Sequence, residues 1–115
     1  MTNLYLEQIS DFCRLIMAQQ SNPQQPLGGH WRIVLGRKYD RILRGTETRY
    51  FVERSTGNIY GARSDTTPNL SWYFGNLDRC QLWDWSGFHG TPVHDPDIRP
   101  IKQYGPFIHY RLVVP

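Results

Sequence analysis

The sequence lacks every strong motif for cofactor binding, phosphate binding or covalent catalysis. It has no Gly-x-Ser-x-Gly, no P-loop, no Gly-x-Gly-x-x-Gly and no Cys-x-x-Cys. Each of these motifs builds a defined backbone turn or ligand set, so the sequence carries none of these standard signatures of nucleotide-binding, hydrolytic or zinc-binding sites. The sequence therefore predicts no cofactor, no metal site and no assignable catalytic residue.

Long apolar runs and cysteines are also scarce. No run of about 18 apolar residues occurs, so we expect no membrane span. The first seven residues carry an acid and no basic segment, unlike a secretory signal. There are two cysteines, Cys13 and Cys80, and Cys13 lies on the apolar face of the predicted helix, where a buried free thiol is expected. A reducing compartment is the default for a chain with so few cysteines. These features predict a cytoplasmic protein.

The composition is that of a globular domain rich in aromatic residues. The chain has 115 residues, of which 39% are hydrophobic and 14% aromatic. This length suits one domain over residues 1–115, and abundant aromatics favour strands. We predict an α+β fold: an N-terminal helix packed on a mainly antiparallel sheet of about five strands. The expected order is a helix at 4–19, a connector at 20–29 and a β body at 30–115, irregular over 63–106.

Apolar periodicity identifies the expected core. Residues 4–19 place one apolar stripe at helical spacing, and the last strand, 107–114, alternates apolar and polar residues. The most secure strand pair is a hairpin turning at Gly57. The sequence predicts that seven residues are buried together: Ile9, Phe12, Ile16, Val52, Ile59, Tyr110 and Leu112.

Between the hairpin and the last strand, the local signals are mixed. Thr67 before Pro68 is typical of a helix start, so we expect a short helical turn ending at Gly75 or, alternatively, a bulky loop. Residues 82–85 could form a short strand. Three prolines make residues 88–104 irregular in the prediction.

Charge is distributed unevenly along the chain. The formal net charge is +3, but residues 32–63 hold eight basic residues against three acids, whereas residues 65–97 hold five acids against one arginine. Basic strand residues interleaved with aromatics are typical of single-strand nucleic-acid binding, where guanidinium groups contact phosphates and rings stack on bases. The predicted ligand-binding residues are Arg37, Lys38, Arg41, Arg49, Arg54 and Tyr60.

A second concentration of large rings lies between residues 72 and 88. So many rings in a short irregular stretch either cap one end of the sheet as core or form a partner surface. The candidate partner-binding residues are Trp72, Tyr73, Trp83 and Trp85.

The histidine loop supports an alternative function. His89 and His94 lie close to Asp95 and Asp97 in sequence, a combination suited to a metal-dependent hydrolase. His89-Gly90-Thr91 also matches one half of a two-histidine phosphoesterase pattern. The second half would have to be His109-Tyr110-Arg111, which lacks the hydroxyl. A small enzyme using the His89/His94 loop is therefore the second hypothesis.

The central strands carry a family resemblance. Lys38-Tyr39-Asp40-Arg41-Ile42, Tyr50-Phe51-Val52 and Thr56-Gly57-Asn58-Ile59-Tyr60 resemble a strand pattern of short phage and viral proteins. The resemblance implies a small phage accessory protein, located in the host cytoplasm, and carries over no activity. From the charge pattern, the leading hypothesis is a non-enzymatic binding module whose basic sheet face would bind a nucleic acid, a nucleotide or other phosphorylated ligand, or an acidic host protein. A homo-oligomeric virion component is the remaining alternative.

Overall fold

The computed structural model describes residues 4–20, 31–104 and 107–112. Within these ranges one α-helix precedes a long run of strands, and a 3₁₀ helix, Leu77–Leu82, interrupts the run. The predicted connector at 20–29 lies outside the described residues, apart from Gln20. The elements are α1 (Leu4–Gln20), β1 (Trp31–Val34), β2 (Tyr39–Arg44), β3 (Glu47–Glu53), β4 (Asn58–Ala62), β5 (Pro68–Asn76), β6 (Ile98–Tyr104) and β7 (Phe107–Leu112).

The strands form one antiparallel sheet, in the order β1-β2-β3-β4-β5-β7-β6. The first five strands form a meander, and the β6–β7 hairpin joins it through β7. The α+β class, the N-terminal helix and the antiparallel sheet are confirmed. The expected number of five strands is wrong: the sheet has seven.

One added strand is β5, where the sequence predicted a helical turn or a loop. Pro68 begins a strand instead of a helix, because the stretch is hydrogen-bonded to β4. The first position of a strand tolerates a residue without an N–H group. The local helix-start signal at Thr67 was therefore overridden by tertiary pairing.

The other added strand is β6, within the stretch predicted to be irregular. It pairs with β7 despite Pro100, and the register shifts between Pro100 and Lys102, which lets the ladder pass the missing donor. The strand expected at residues 82–85 is absent from the described structure. Leu82 ends the 3₁₀ helix, and Asp84 forms only an isolated bridge to Thr91.

Helix α1 packs its apolar stripe against one side of the sheet. Ile9, Phe12, Ile16, Val52 and Ile59 are buried in one cluster, as predicted, and Tyr110 packs against it half-buried. The side chain of Leu112 lies outside the described residues. Within the part of the chain that the structure describes, no helix is long and apolar enough to cross a membrane.

Neighbouring residues of β3 point to opposite sides of the sheet, and α1 covers one of these sides. Tyr50 and Val52 belong to the cluster under α1. Phe51, between them, points to the opposite side with its cross-strand partners Arg41 and Tyr60. Because each strand alternates in this way, a side chain can change sides only where the register shifts.

Candidate ligand-binding cleft

A cleft of about 590 Å³ opens at the end of the sheet where β3, β5 and β7 meet a loop. The loop, residues 85–91, follows the 3₁₀ helix and is called the cleft loop below. The cleft is lined by a guanidinium, two imidazoles, two large aromatic rings and a few small polar groups: Glu47, Thr48, Arg49, Ala62, Asn69, Ser71, Trp72, Phe88, His89 and His109.

A β-bulge aims Arg49 into this cleft. Ile42 of β2 pairs with Tyr50, and the next pair is Leu43 with Thr48, so Arg49 is the extra residue of β3. A bulge lets one side chain leave the strict alternation of its strand. Arg49 consequently reaches the side where the cleft loop lies.

The guanidinium of Arg49 is held by an aromatic ring and a carbonyl group. Its Cζ lies 3.8 Å from the ring centre of Phe88 and 5.7 Å from that of Trp31. It also donates to the carbonyl oxygen of Phe88. Arg49 is only 7% exposed, and burial lowers its pKa. Among the ion pairs of the described residues none includes Arg49, although the carboxylate of Glu47, which also lines the cleft, opposes the lowering of its pKa.

The cleft loop is fastened at both ends and in the middle. Gln19 accepts from the backbone N–H of Trp85, and Gln20 donates to the carbonyl oxygens of Trp85 and Gly87. Asp84 and Thr91 exchange two backbone hydrogen bonds of 2.7 and 2.8 Å. The C-terminal end of α1 therefore fixes the backbone that carries Phe88 and His89.

A buried tyrosine adds the central fastening. The backbone N–H of Gly90 donates to the hydroxyl of Tyr50 over 3.0 Å. A Cβ atom at Gly90 would lie 2.4 Å from the ring of Trp85, so the loop needs glycine here to approach the sheet. Burial raises the pKa of Tyr50 to about 12, so the hydroxyl stays protonated at neutral pH.

Trp72 forms the floor between the two histidines. Its ring centre lies 4.4 Å from that of His89 and 5.6 Å from that of His109. A Cβ atom at Gly61 on β4 would lie 2.5 Å from the indole, so the missing side chain allows Trp72 to lie flat against β4.

The environment of His89 keeps its imidazole neutral. Phe74 stacks on it at 5.8 Å, and Phe88 contacts it edge-on at 4.5 Å. Burial, followed by the charge of Arg49, lowers the pKa of His89 to about 4. At neutral pH this imidazole carries one proton and one lone pair, and can act as donor or acceptor.

A second cavity adjoins the cleft. Its volume is about 320 Å³, and it shares Trp72, Phe88 and His89 with the first. Ile108 and Tyr110 of β7 close its far side. The three shared rings thus separate two neighbouring spaces, each in the size range of small-ligand pockets.

The other residues predicted to bind a ligand do not lie in the cleft. Arg37 and Lys38 are exposed between β1 and β2. Arg41 donates to the carbonyl oxygen of Asp65 over 2.9 Å on the side of the sheet away from α1, where Tyr60 also lies. Arg54 is 3.3 Å from buried Asp40 and lies over the ring of Tyr5 of α1. Strand pairing therefore distributes these charges instead of gathering them on one face.

The four candidate partner-binding aromatics also separate. Trp83 and Trp85 stack on each other 5.6 Å apart in the core, with at most 2% exposed, so they give no surface to a partner. Trp83 and Trp85 therefore belong to the core, which was one of the two alternatives left open by the sequence. Tyr73 is half-buried and contacts Tyr60. Only Trp72 lines the cleft.

His94 is exposed and does not line the cleft with His89. Its neighbours Asp95 and Asp97 are bound by Arg79, and Trp83 donates to Asp95 over 3.3 Å. In the described ranges no cluster of three metal-ligating side chains occurs. The histidine that joins His89 is His109 of β7, which the sequence indicated only as an incomplete second half of a two-histidine pattern.

Comparison with protein-family models, with curated proteins and with solved structures finds no match for this chain. The site is therefore interpreted from its own geometry.

Proposed function

We propose that this protein is a binding module whose cleft holds nucleotide units of a single-stranded nucleic acid. The observation that carries the proposal is the buried Arg49 guanidinium, stacked at 3.8 Å on the ring of Phe88 beside His89 and Trp72. Guanidinium groups that contact phosphates and rings that stack on bases are the two components of single-strand recognition.

The charge of Arg49 favours an anionic ligand. A buried cation is costly unless it is paired, and elsewhere in the described structure the buried charges are paired with opposite ones, as in Asp40 with Arg54 and Asp95 with Arg79. In the cleft a ring and a carbonyl provide the compensation. A phosphate oxygen would add the charge-assisted hydrogen bonds that this environment strengthens.

The rings favour a planar ligand group next to that anion. Phe88 is 59% exposed although it carries a large ring, and it stands between Arg49 and His89. A base stacked on Phe88 would cover apolar surface that is now in water. The adjoining cavity behind the same rings gives space for a second unit, which supports a strand over an isolated nucleotide.

The resemblance to phage and viral proteins suggests an accessory protein that acts in a host cell. An acidic host protein is the competing partner, because the Arg49 guanidinium attracts carboxylates as well as phosphates.

The test is a binding titration with labelled ten-residue single-stranded DNA and RNA, with nucleoside monophosphates and with poly-glutamate, at two salt concentrations. We expect the ten-residue nucleic-acid strands to bind more tightly than the monophosphates. Their association constant should fall as about the 0.7 power of the salt concentration for each phosphate contacted. Equal affinity for monophosphates and strands would make the free nucleotide the ligand. Binding of poly-glutamate alone would overturn the proposal in favour of an acidic protein.

Two variants and one matched control locate the site. Arg49→Met should weaken strand binding about tenfold to a hundredfold and reduce its salt dependence, because one charge-assisted contact is lost. Phe88→Ala should weaken binding at least about fivefold through lost stacking. Arg37→Met removes an exposed arginine outside the cleft and should change affinity far less. Equal losses in all three would indicate diffuse attraction and contradict the cleft.

A further inference from the structure

We propose that the cleft also cleaves single-stranded RNA by transphosphorylation, with His89 and His109 moving the two protons of the reaction. This inference rests on the proposed function, since the strand must first bind beside Arg49. It assigns an activity to a pair of histidines that lie 20 positions apart in the chain and meet at one tryptophan.

The geometry that supports the reaction is the arrangement of both imidazoles around Trp72. Their ring centres lie 4.4 and 5.6 Å from that of the indole, so they are no more than 10.0 Å apart. An upper limit of this size allows one phosphodiester to lie between the imidazoles with a hydrogen bond of about 2.6–3.2 Å to each of them. Both imidazoles also line the same cleft.

The step needs no reagent other than the RNA. The 2′-hydroxyl oxygen attacks the adjacent phosphorus while one imidazole takes the hydroxyl proton. The bond from phosphorus to the 5′-oxygen breaks, and the other imidazole gives that oxygen a proton. The products are a strand ending in a 2′,3′-cyclic phosphate and a strand beginning with a free 5′-hydroxyl. Proton exchange with water then restores both histidines.

The surroundings assign the base to His89. Its imidazole is neutral at neutral pH, as a proton acceptor must be. The charge of Arg49 opposes protonation of His89 in the empty cleft, and a phosphate bound to Arg49 would offset that charge. Substrate binding would thereby increase the basicity of His89 when the proton has to be taken.

His109 and Arg49 have the complementary roles. His109, which also contacts Trp72, is the proton donor to the leaving oxygen. Arg49 and His89 both contact the ring of Phe88. The guanidinium is therefore placed to stabilise the additional negative charge on the phosphoryl oxygens. The three functional groups come from β3, the cleft loop and β7, and all line the same cleft.

The experiment incubates the protein, in EDTA, with a 3′-labelled RNA ten-mer, with the same RNA carrying 2′-O-methyl groups and with DNA of the same sequence. We expect cleavage of the unmodified RNA alone, giving a 2′,3′-cyclic phosphate detected by mass spectrometry. His89→Asn and His109→Asn should each slow cleavage at least about a hundredfold. Both should still bind the DNA strand, which shows that they fold.

His94→Asn is the matched control, since His94 is an exposed histidine that does not line the cleft. It should cleave at the unchanged rate, which also excludes a contaminating nuclease if the cleft variants, purified identically, do not cleave. RNA that binds but stays intact would overturn this inference and leave the proposed function standing. Failure to bind either RNA or DNA would overturn the proposed function as well.

Discussion

Two buried charges in this protein are handled in opposite ways. Asp40, with no exposed surface, accepts from the hydroxyl of Tyr5 and from the backbone N–H of Gly36, both over 2.7 Å, and lies 3.3 Å from Arg54. Arg49, nearly as buried, is compensated by the face of Phe88 and one carbonyl oxygen. The first charge joins α1 to the sheet; the second faces a cavity.

The difference shows how to separate structural charges from those that bind ligands. The carboxylate of Asp95 follows the first pattern, since it accepts from Arg79, from Trp83 and from the backbone of Asp97. A charge whose partners all belong to the chain serves the fold. A guanidinium group held mainly by an aromatic face keeps N–H donors to which a ligand can bind.

The largest expected effect is on the structural charge. Asp40→Ala should lower the free energy of unfolding by about 3 kcal/mol, because it leaves the hydroxyl of Tyr5, the Gly36 N–H and Arg54 without their shared acceptor. Urea unfolding followed by circular dichroism measures the change. A loss below about 1 kcal/mol would remove the distinction between the two charges.

An intermediate effect concerns pH and His89. The folded-state pKa of about 4 lies below the ordinary value of 6.5, so between these values the unfolded chain binds a proton that the folded chain does not. The free energy of unfolding should therefore fall as the pH drops from 6.5 to 4, by at most about 1.4 kcal/mol per pH unit. This value is an upper limit because the cleft is open to water. Comparing His89→Asn with the wild type isolates this contribution from the carboxylates, and identical pH profiles would contradict it.

The smallest effect is expected for the stability of Arg49→Met. Removing a buried cation that has no ion pair within the described part of the chain, and keeping an apolar side chain of similar length, should change the free energy of unfolding by less than about 1 kcal/mol. Thermal or urea unfolding of the free protein gives the value. A loss as large as that of Asp40→Ala would mean that Arg49 holds the fold together and is not reserved for a ligand.

Much of the fold was predictable because its signals are local. The stripe of α1 and the hairpin at Gly57, whose φ is +78°, follow from periodicity and turn chemistry. Strands β5 and β6 were missed, since their prolines and short apolar stretches become strands only through pairing with β4 and β7.

The cleft was predictable only in its parts. The sequence singled out Arg49, Trp72 and His89, but for three different hypotheses. Their meeting depends on a one-residue bulge in β3 and on a loop fastened by Gln19, neither of which has a signature in one sequence. His109 reaches the cleft because β7 lies beside β5 in the sheet. This strand order is a property of the whole topology and has no local sequence signal.

The narrow junction between β5 and β7 has a consequence for hydrogen exchange. Among the described residues Tyr73 and Tyr110 are the one residue pair that joins the meander to the β6–β7 hairpin in the ladder. A unit with so few backbone hydrogen bonds to its neighbour opens at a lower free energy than the sheet as a whole. The amides of the hairpin should therefore exchange with deuterium before those of β2 and β3. His109 lies on this hairpin and Arg49 does not. A single-stranded nucleic acid bound to both residues should therefore slow hydrogen exchange in β7 more than in any other β-strand.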